Sequence, residues 1–385
     1  MRLFIMGNAC CKYGTYASYN SGICVSGRAF PRTHDGEAVS SICSGGPGLI
    51  ITGGYDGSAT LWRWSVDNDA GDSLTRRWRA HPKPVTCVAH LPIVGRVLTG
   101  CRDGVVRLWP SFTNTDCAPA ITMTGHSLTV TGTDGLEDVN AACSGSRDYS
   151  VRHWDLTTAQ CVQTASSSRN VVTSLRRCPG ECAVVQSSED LRIRTWDVRD
   201  FSSGPCQILE GHVDIPHCVD VSPCGVYIVS CSNGFQGSGG SEVRVWDRRT
   251  ERVLREWRDH DKSVNGCAFL PIVRDDNAMS ERNRVNSKLG AGVVVVTASS
   301  DRTVRVFDYA CERASHTLQL GGYPSLHAAH PVLCCSALEH PEDNTGRGKA
   351  FFAAGDLGGK TQVWGLNLSV RTGTKGVVQA VAHTL

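Results

Sequence analysis

The chain has 385 residues, and its 39 basic and 37 acidic side chains give a formal net charge of +2. This balance excludes the large basic excess of a typical nucleic-acid-binding domain, and no apolar run is long enough to cross a bilayer. Nineteen cysteines in a long chain without a secretory signal predict reduced, buried thiols rather than a disulfide scaffold, a metal centre or a redox site. We expect a cytoplasmic protein without a cofactor, a metal ion or a nucleic-acid partner.

The chain opens with MRLFIMGNACC, followed by small and polar residues that lack the apolar content to pack. We expect residues 1–30 to form a short flexible N-terminal extension. If translation begins at Met6, Gly7 becomes the terminal residue that N-myristoylation requires. One myristoyl chain anchors a protein only marginally, so palmitoylation of Cys10 or Cys11 supplies the second signal in this interpretation. A start at the first methionine leaves only the two cysteines for acylation.

Beyond the extension, one pattern recurs seven times: a turn with Asp, a β-branched run and a large aromatic residue. The aromatic anchors are Trp62, Trp109, Trp154, Trp196, Trp246, Phe307 and Trp364. The runs are short, are bounded by Gly, Asp and Ser, and lack helical periodicity, which predicts strands. A single short repeat cannot bury its apolar faces alone, whereas neighbouring repeats packed against one another can. The repeats therefore predict one all-β domain over residues 31–385.

Three repeats carry a further set of polar residues at identical spacing. The sets are His34, Thr52, Asp56 and Trp62; His81, Thr99, Asp103 and Trp109; and His126, Ser144, Asp148 and Trp154. A combination of His, Ser and Asp serves acyl-transfer catalysis, but its recurrence together with an indole favours buried structural hydrogen bonding. We therefore predict no catalytic residues and a non-enzymatic protein.

The other repeats depart from this set. The fourth has Ser168 in place of the His and Gln186 in place of the Ser or Thr, and the fifth has Asn233 and a glycine-rich insertion near the turn. The sixth keeps its polar residues but contains an insertion at 271–292, which has no periodicity and predicts a mobile loop. The seventh lacks a well-spaced His. We expect the first three repeats to be the most rigid and the fourth, fifth and seventh to be altered for function.

These motifs resemble those of the WD40-repeat family. The resemblance implies a seven-bladed β-propeller in which the His, Ser/Thr, Asp and Trp sets form a hydrogen-bonded network inside the blade. In that family the residue before the turn Asp points to the top face, where partner proteins dock. The residues at this position are Tyr55, Arg102, Arg147, Glu189 and Ser300. Tyr and Arg are enriched at binding hot spots, which favours an acidic segment of a partner protein there; the alternative is an ordinary solvated turn.

Two stretches carry a more specific resemblance: residues 165–175 with the strand that follows, and the blade around Trp246. They resemble a WD40 protein of ciliary or flagellar trafficking linked to regulators of small GTPases. This implies a membrane-associated scaffold or adaptor at the cilium or flagellum or its base. The alternative function rests on the W-D-x-R tetrapeptides at 196–199 and 246–249. In some family members this signature docks the adaptor of cullin-RING ubiquitin ligases, which implies a substrate receptor of such a ligase.

The seventh repeat contains GDLGGKT, one residue short of a phosphate-binding loop. That loop joins a strand to a helix, whereas the repeat predicts two antiparallel strands, so we expect no nucleotide at Lys360 and Thr361. Ring closure has two candidates, the amino-terminal VSGRAF and the carboxy-terminal GVVQAVAH. Closure by the opposite end of the chain is usual in the family, which favours the amino-terminal strand as the outer strand of the last blade.

Overall fold

The protein is a ring of seven four-stranded antiparallel sheets, as seen in a computed structural model. The structure describes residues 26–29, 34–65, 73–93, 95–110, 119, 121–166, 169–234, 241–270, 294–308, 316–319, 330–339, 349–367, 369–370 and 378–379. Within these residues the one helical element is a 3₁₀ turn at Glu137–Val139. No helix in the described part of the chain is long and apolar enough to span a membrane. The predicted all-β, seven-bladed propeller is confirmed.

The strands follow one another through the blades, each blade beginning at its inner strand. The first strand, β1 (Ser26–Ala29), belongs to the last blade. Blades 1 to 3 contain β2 (Val39–Ser44), β3 (Leu49–Gly54), β4 (Ser58–Arg63) and β5 (Ser73–Arg79); β6 (Val85–Leu91), β7 (Arg96–Cys101), β8 (Val106–Trp109) and β9 (Ile121–Met123); and β10 (Val130–Leu136), β11 (Ala141–Ser146), β12 (Ser150–Asp155) and β13 (Cys161–Ser166).

The remaining blades repeat this order. Blades 4 to 6 contain β14 (Val172–Arg177), β15 (Ala183–Ser188), β16 (Ile193–Asp197) and β17 (Gln207–Leu209); β18 (Pro216–Val221), β19 (Tyr227–Ser232), β20 (Ser241–Asp247) and β21 (Arg252–His260); and β22 (Val264–Leu270), β23 (Val294–Ser299), β24 (Thr303–Asp308) and β25 (His316–Gln319). Blade 7 contains β26 (Val332–Leu338), β27 (Lys349–Asp356), β28 (Thr361–Asn367) and β1. Two further strands are β29 (Ser369–Val370) and β30 (Val378–Gln379).

Strand β1 closes the ring as the outer strand of blade 7. It pairs antiparallel with β28, so that Ser26 lies opposite Gly365 and Ala29 lies opposite Gln362. The carboxy-terminal strands β29 and β30 pair with each other instead. The prediction of amino-terminal closure is confirmed, and the described propeller includes a strand from the range 1–30 that was expected to form the extension.

The hydrophobic core is divided among the seven junctions between blades. At the junction of blades 1 and 2, Ile51 packs in one cluster with Val85 and Trp109. At the closing junction, Ile50 of blade 1 packs in one cluster with Phe351 of blade 7. Every cluster contains residues of two neighbouring blades. Since each sheet buries its faces only against its neighbours, the blades are stable as a ring and not singly.

Side-chain hydrogen bonds tie the inner strands together near their first residues. The hydroxyl of Ser40 donates to the carbonyl of Val85 in the next blade, 2.5 Å away, and the hydroxyl of Thr131 donates to the carbonyl of Val172 over 2.8 Å. The same bond to the next blade is made by Thr86, Thr173 and Asn265. These bonds hold neighbouring blades in register at the end where the loops enter the inner strands.

The cysteines are mainly part of the core. Nine of the fourteen described cysteines are buried, and all fourteen are free thiols. Burial raises the pKa of Cys87 to about 12, which keeps this thiol protonated at neutral pH. For the nine buried residues the predicted burial of Cys as a small side chain is confirmed.

Candidate functional site

The turns between the second and third strands lie at the same end as the loops that enter the inner strands, and we call this end the top face. In blade 1 the backbone N–H of Tyr55 donates to the carbonyl of Ala38, 3.0 Å away, just before β2. The same hydrogen bond recurs in all seven blades. The donors are Tyr55, Arg102, Arg147, Glu189, Asn233, Ser300 and Leu357, and the acceptors are Ala38, Pro84, Thr129, Val171, Ile215, Ser263 and Pro331. The five positions selected from the sequence are therefore structurally equivalent.

Two of the seven top-face positions were missed by the sequence analysis. The rule applied there took the residue before the turn Asp, but Asn233 is followed by a glycine-rich stretch and Leu357 comes after its Asp. Both residues directly follow the last residue of the second strand of their blade, as the other five do. Counting from the end of that strand would have found them.

The first three blades expose an aromatic and basic patch at these positions. Tyr55 is 46% exposed, and Arg102 and Arg147 are exposed on the two following blades. Arg147 is paired across the blade junction with Glu189, with a nitrogen-to-oxygen distance of 2.8 Å. Ser300 accepts a hydrogen bond from a neighbouring asparagine side chain and is only partly exposed. We call Tyr55, Arg102 and Arg147 the top-face patch.

Below the patch, blade 3 contains the predicted polar network in full. His126 Nδ1 bonds the carboxylate of Asp148 over 2.8 Å, and its Nε2 bonds the hydroxyl of Ser144 over 2.8 Å. Trp154 Nε1 donates to the same hydroxyl over 2.8 Å. Burial alone would raise the pKa of Asp148, but hydrogen bonds from His126 and Ser150 outweigh it and hold that pKa well below its usual range.

In blade 1 the network contains an additional hydroxyl. His34 bonds the carboxylate of Asp56 over 3.0 Å and the hydroxyl of Thr52 over 2.9 Å. Trp62 Nε1 donates to Thr60 over 2.9 Å, and Thr60 in turn bonds Thr52 over 2.5 Å. The second threonine thus connects the indole to the rest of the set through hydrogen bonds.

Blade 2 forms only part of the predicted network. His81 Nε2 bonds Thr99 over 2.9 Å, and Trp109 Nε1 donates to Thr99 over 2.8 Å. His81 Nδ1 lies 3.6 Å from the carboxylate of Asp103, which is too long for a hydrogen bond. This nitrogen is buried and has no hydrogen-bond partner among the described residues. The predicted hydrogen bond between His81 and Asp103 is therefore wrong.

Blade 5 corrects the expectation that it departs from the network. His212 bonds Ser230 over 2.8 Å and Glu242 over 3.0 Å, and Trp246 Nε1 donates to Ser230 over 2.8 Å. The signal was present, because the interval of 18 residues between the His and the hydroxyl equals that in blade 3. The indole could not be assigned to the set by spacing, because the insertion lengthens the interval from hydroxyl to indole from 10 to 16 residues.

Blade 4 replaces the network with a different one. Asn170 and Gln186 bond each other through their side-chain amides. Arg194 Nη1 donates to Asn170 over 3.1 Å and to Asp190 over 3.0 Å. In blade 3 the equivalent Trp154 Nε1 donates to a hydroxyl, but Trp196 Nε1 is buried without a hydrogen-bond partner among the described residues. The predicted departure of this blade is confirmed.

Blade 6 retains the hydrogen bonds of the His with the acid and the hydroxyl, but it has no indole. His260 bonds Asp301 over 2.7 Å and Thr297 over 2.8 Å. Phe307 takes the place of the indole, and its ring lies edge-on to the His260 ring with centroids 6.1 Å apart. The aromatic contact is kept while the N–H donor is lost.

In blade 7 the GDLGGKT segment is the turn between β27 and β28. The carboxylate of Asp356 accepts hydrogen bonds from the backbone N–H groups of Gly358 and Lys360, over 2.9 and 2.8 Å. A phosphate-binding loop needs such N–H groups free and a helix behind them, and this segment runs from strand to strand. It therefore lacks the construction of a nucleotide site.

The polar networks have no access for a substrate. The hydroxyls that face the His rings in the first three blades, those of Thr52, Thr99 and Ser144, belong to fully buried residues. A nucleophile must contact the group that it attacks, so these sets serve as internal hydrogen bonding.

Several predicted features fall outside the described residues. They are the acylation candidates Gly7, Cys10 and Cys11, the residue Ser168 of blade 4, and the insertion at 271–292. These predictions stand as they were made from the sequence.

Comparisons with known proteins agree with this architecture. The family model for the WD domain, G-beta repeat, matches residues 72–110 and 203–247. The WD repeat-containing protein 37 of Homo sapiens is 25% identical over 302 residues, which cover 77% of this chain and 52% of that protein. The nuclear distribution protein nudF of Aspergillus niger is 23% identical over 277 residues, covering 67% and 56%. The chain thus spans about half the length of the curated relatives that it matches.

A solved structure shows the same fold. The crystal structure of the WD40 beta propeller domain of Doa1 superposes with a TM-score of 0.65 at 18% identity, covering 88% of this chain and 95% of that one. Seven blades of equal strand order, two segments that match the repeat model and a solved propeller of the same fold make the chain similar to WD40-repeat proteins.

Proposed function

We propose that the protein is a non-enzymatic protein-interaction scaffold whose top-face patch binds an acidic segment of a partner. WD40 propellers are in general interaction scaffolds, and the curated relatives are WD-repeat proteins. The observation that carries the proposal is the exposure of Tyr55, Arg102 and Arg147 at equivalent positions of three consecutive blades. Large aromatic and Arg side chains are the residue types that contribute most at interfaces.

The electrostatics of this region favour an acidic ligand. The nearby carboxylates of Asp35 and Asp56 are both bound by Arg77, at 2.5 and 2.7 Å. Lys83, in the loop that enters blade 2, is exposed beside Arg102 in the ring of loops and adds a second cation. Complementary charge raises the association rate and excludes basic competitors.

A charge reversal on one blade tests the proposal. Arg102→Glu replaces the central cation of the top-face patch, while Arg96→Glu makes the same change at the opposite end of the same blade, at the start of β7. We expect the partners recovered with the unmodified chain, by affinity purification from ciliated cells, to be lost with Arg102→Glu and kept with Arg96→Glu. Loss with the control variant alone would place the binding surface on the other end of the ring.

The proposed setting is ciliary or flagellar trafficking linked to regulators of small GTPases. It rests on the similarity of residues 165–175 and of the blade around Trp246 to WD repeat-containing protein 31. Proximity labelling from the full chain in a ciliated cell tests this setting. Enrichment of transport proteins or GTPase regulators supports it, and their absence from a labelled set that is reproducible in other respects contradicts it.

The proposed membrane association rests on the MGNACC motif. Myristoylation of Gly7 and palmitoylation of Cys10 or Cys11 give the two anchors that stable attachment needs. We expect a chain started at Met6 to partition with membranes and Gly7→Ala to release it. A chain that stays bound after both Gly7→Ala and replacement of the two cysteines by Ser would contradict this attachment.

A cullin-RING substrate receptor is the second candidate. The arginines of both W-D-x-R signatures are accessible, with Arg199 74% and Arg249 60% exposed in their side chains. Each is also paired within its own turn, with Asp197 and Asp247 respectively. Recovery of a cullin and its adaptor that is lost in Arg199→Glu favours this function over the trafficking scaffold.

A further inference from the structure

The top of blade 2 contains a cluster of three metal-ligating side chains. His81 lies in the loop that enters the blade, Cys101 is the last residue of β7, and Asp103 lies in the following turn. One ligand atom of each lies within 4.8 Å of the other two. Sequence spacing had already placed His81 and Asp103 in one set, but it did not include Cys101.

The histidine is available because a usual partner is absent. In blade 3, His126 Nδ1 contacts both Asp148, at 2.8 Å, and the hydroxyl of Ser150, at 3.2 Å. The residue equivalent to Ser150 in blade 2 is Val105, two positions after the turn Asp. His81 is 1% exposed, and its Nδ1 has no hydrogen-bond partner among the described residues. An unpaired buried ring nitrogen is costly, which calls for a ligand at this atom.

The other ring nitrogen orients the imidazole. His81 Nε2 lies 2.9 Å from the hydroxyl of Thr99. With the proton on Nε2 and donated to Thr99, Nδ1 presents its lone pair to Cys101 and Asp103. Metal-bound histidines are usually oriented in this way, by a hydrogen bond from the nitrogen that does not ligate.

The cysteine occupies the last position of the second strand, which is serine in blades 3 to 6. Asp103 N donates to Cys101 Sγ over 3.4 Å, as Asp148 N donates to the hydroxyl of Ser146 over 3.1 Å. The thiol is fully buried and donates to the carbonyl of Lys83 over 3.4 Å. The substitution leaves the turn intact and changes a hard oxygen into a soft sulfur ligand.

We propose that His81 Nδ1, Cys101 Sγ and the Asp103 carboxylate bind a divalent transition-metal ion of the zinc class. Nitrogen, sulfur and oxygen ligands together suit this borderline-soft cation. Tetrahedral ligands at zinc lie about 3.4 Å apart, and His81 Nδ1 is 3.6 Å from the carboxylate. The Asp103 side chain is 15% exposed, so the ion enters from the top face and a water completes the coordination. The thiol loses its proton to solvent as the sulfur–metal bond forms.

Cobalt titration of the full chain tests the site, because Co²⁺ bound to a thiolate gives a ligand-to-metal absorption band. We expect one equivalent of Co²⁺ to produce the band and one equivalent of Zn²⁺ to displace it. Cys101→Ser restores the residue found in blade 3 and is expected to abolish the band without loss of the folded state, which thermal unfolding checks.

A second variant leaves the cysteine in place. Val105→Ser supplies the hydroxyl that partners the His in blade 3, and we expect it to weaken Co²⁺ binding at least tenfold. The matched control is Ser146→Cys, which introduces a thiol in blade 3 beside a His that is already partnered, and we expect no added Co²⁺ site. No band from the unmodified chain, or the same band in Cys101→Ser, would overturn the proposal; so would unchanged affinity in Val105→Ser.

Discussion

Blades 3 and 4 are neighbours of equal strand order and register, yet their buried polar networks share no side-chain type except the acid and the indole. In blade 3 an imidazole ring, His126, bonds a carboxylate and a hydroxyl, and the hydroxyl also accepts from an indole. In blade 4 a buried cation, Arg194, links a carboxylate to a pair of amides. The backbone hydrogen bonds of the sheet therefore set the blade, while the network inside it can be rebuilt with other chemistry.

The two networks differ in how much stability is lost when one member loses its partner. Arg194 is only 4% exposed, so its charge depends on Asp190 for compensation. In blade 3 removal of the acid leaves an imidazole and a hydroxyl, neither of which carries a permanent charge, so the loss is that of ordinary hydrogen bonds. Loss of the turn acid should therefore lower the stability of the protein more in blade 4 than in blade 3.

The largest expected effect is therefore a difference between two equivalent substitutions. Asp190→Ala leaves the buried Arg194 without its carboxylate and should lower the free energy of unfolding by about 3 to 5 kcal/mol. Asp148→Ala in blade 3 should lower it by about 1 to 3 kcal/mol. Denaturant titrations of both variants measure these values. Equal losses would show that the Arg194 charge is compensated from elsewhere.

The second prediction concerns the pH dependence of stability. The network of blade 2 contains a buried histidine that can titrate, whereas the network of blade 4 contains none. Burial, with nearby Arg107 adding to it, lowers the pKa of His81 to about 4. In the unfolded chain this group binds its proton near pH 6.5, so the unfolded state takes up more protons as the pH falls. Stability should drop between about pH 6.5 and 4, by up to about 3 kcal/mol from this residue.

Denaturant titrations between pH 6.5 and 4, with a chelator present, test whether stability falls as the pH falls. His81→Gln should make the pH dependence shallower without abolishing it, because burial also lowers the pKa of His90 to about 4. The control Asn170→Ala, in the blade 4 network, should lower stability by a similar amount at every pH, since the asparagine does not titrate. Stability that rises on acidification from pH 6.5 to 4 would contradict the assignment of a neutral buried His81.

The third prediction concerns the indoles. Trp154 donates to Ser144, whereas Trp196 Nε1 has no hydrogen-bond partner in the described part of the chain. Replacement by Phe removes similar volume in both blades, but only Trp154→Phe also removes a hydrogen bond. Trp154→Phe should therefore cost about 1 kcal/mol more than Trp196→Phe in the free energy of unfolding. If Trp196→Phe proves the more costly, the indole of blade 4 has a bonded partner.

The smallest expected effect lies where the two compared blades meet at the top face. Arg147 and Glu189 form an ion pair of 2.8 Å, with side chains 53% and 31% exposed. A double-mutant cycle with Ala at both positions should give a coupling of at most about 1 kcal/mol, because solvent screens the pair. Sodium chloride should reduce it further. A coupling that salt leaves unchanged would mean that the pair is shielded from solvent.

Site residues could be predicted from the sequence where their spacing within one blade is constant. His126, Ser144, Asp148 and Trp154 were found together because turn and strand lengths within one blade hold them at constant spacing. It failed on blade 5, where an insertion moves the indole along the chain while the fold still places Glu242 against His212. The spacing rule does not include Glu242, because this acid lies on the third strand, 30 residues after His212, and not in the turn before it.

Strand order and amino-terminal closure were predicted from the resemblance to a known family. The residues alone predicted the number of repeats and the buried nature of three polar sets. These follow from short-range periodicity, in which apolar and turn residues recur at intervals that a strand or a turn imposes. Only the tertiary structure decided which partner each buried polar atom has. The rebuilt network of Arg194 and the unpaired nitrogen of His81 depend on distances between strands, and a single altered side chain, such as Val105, changes them without altering the repeat pattern.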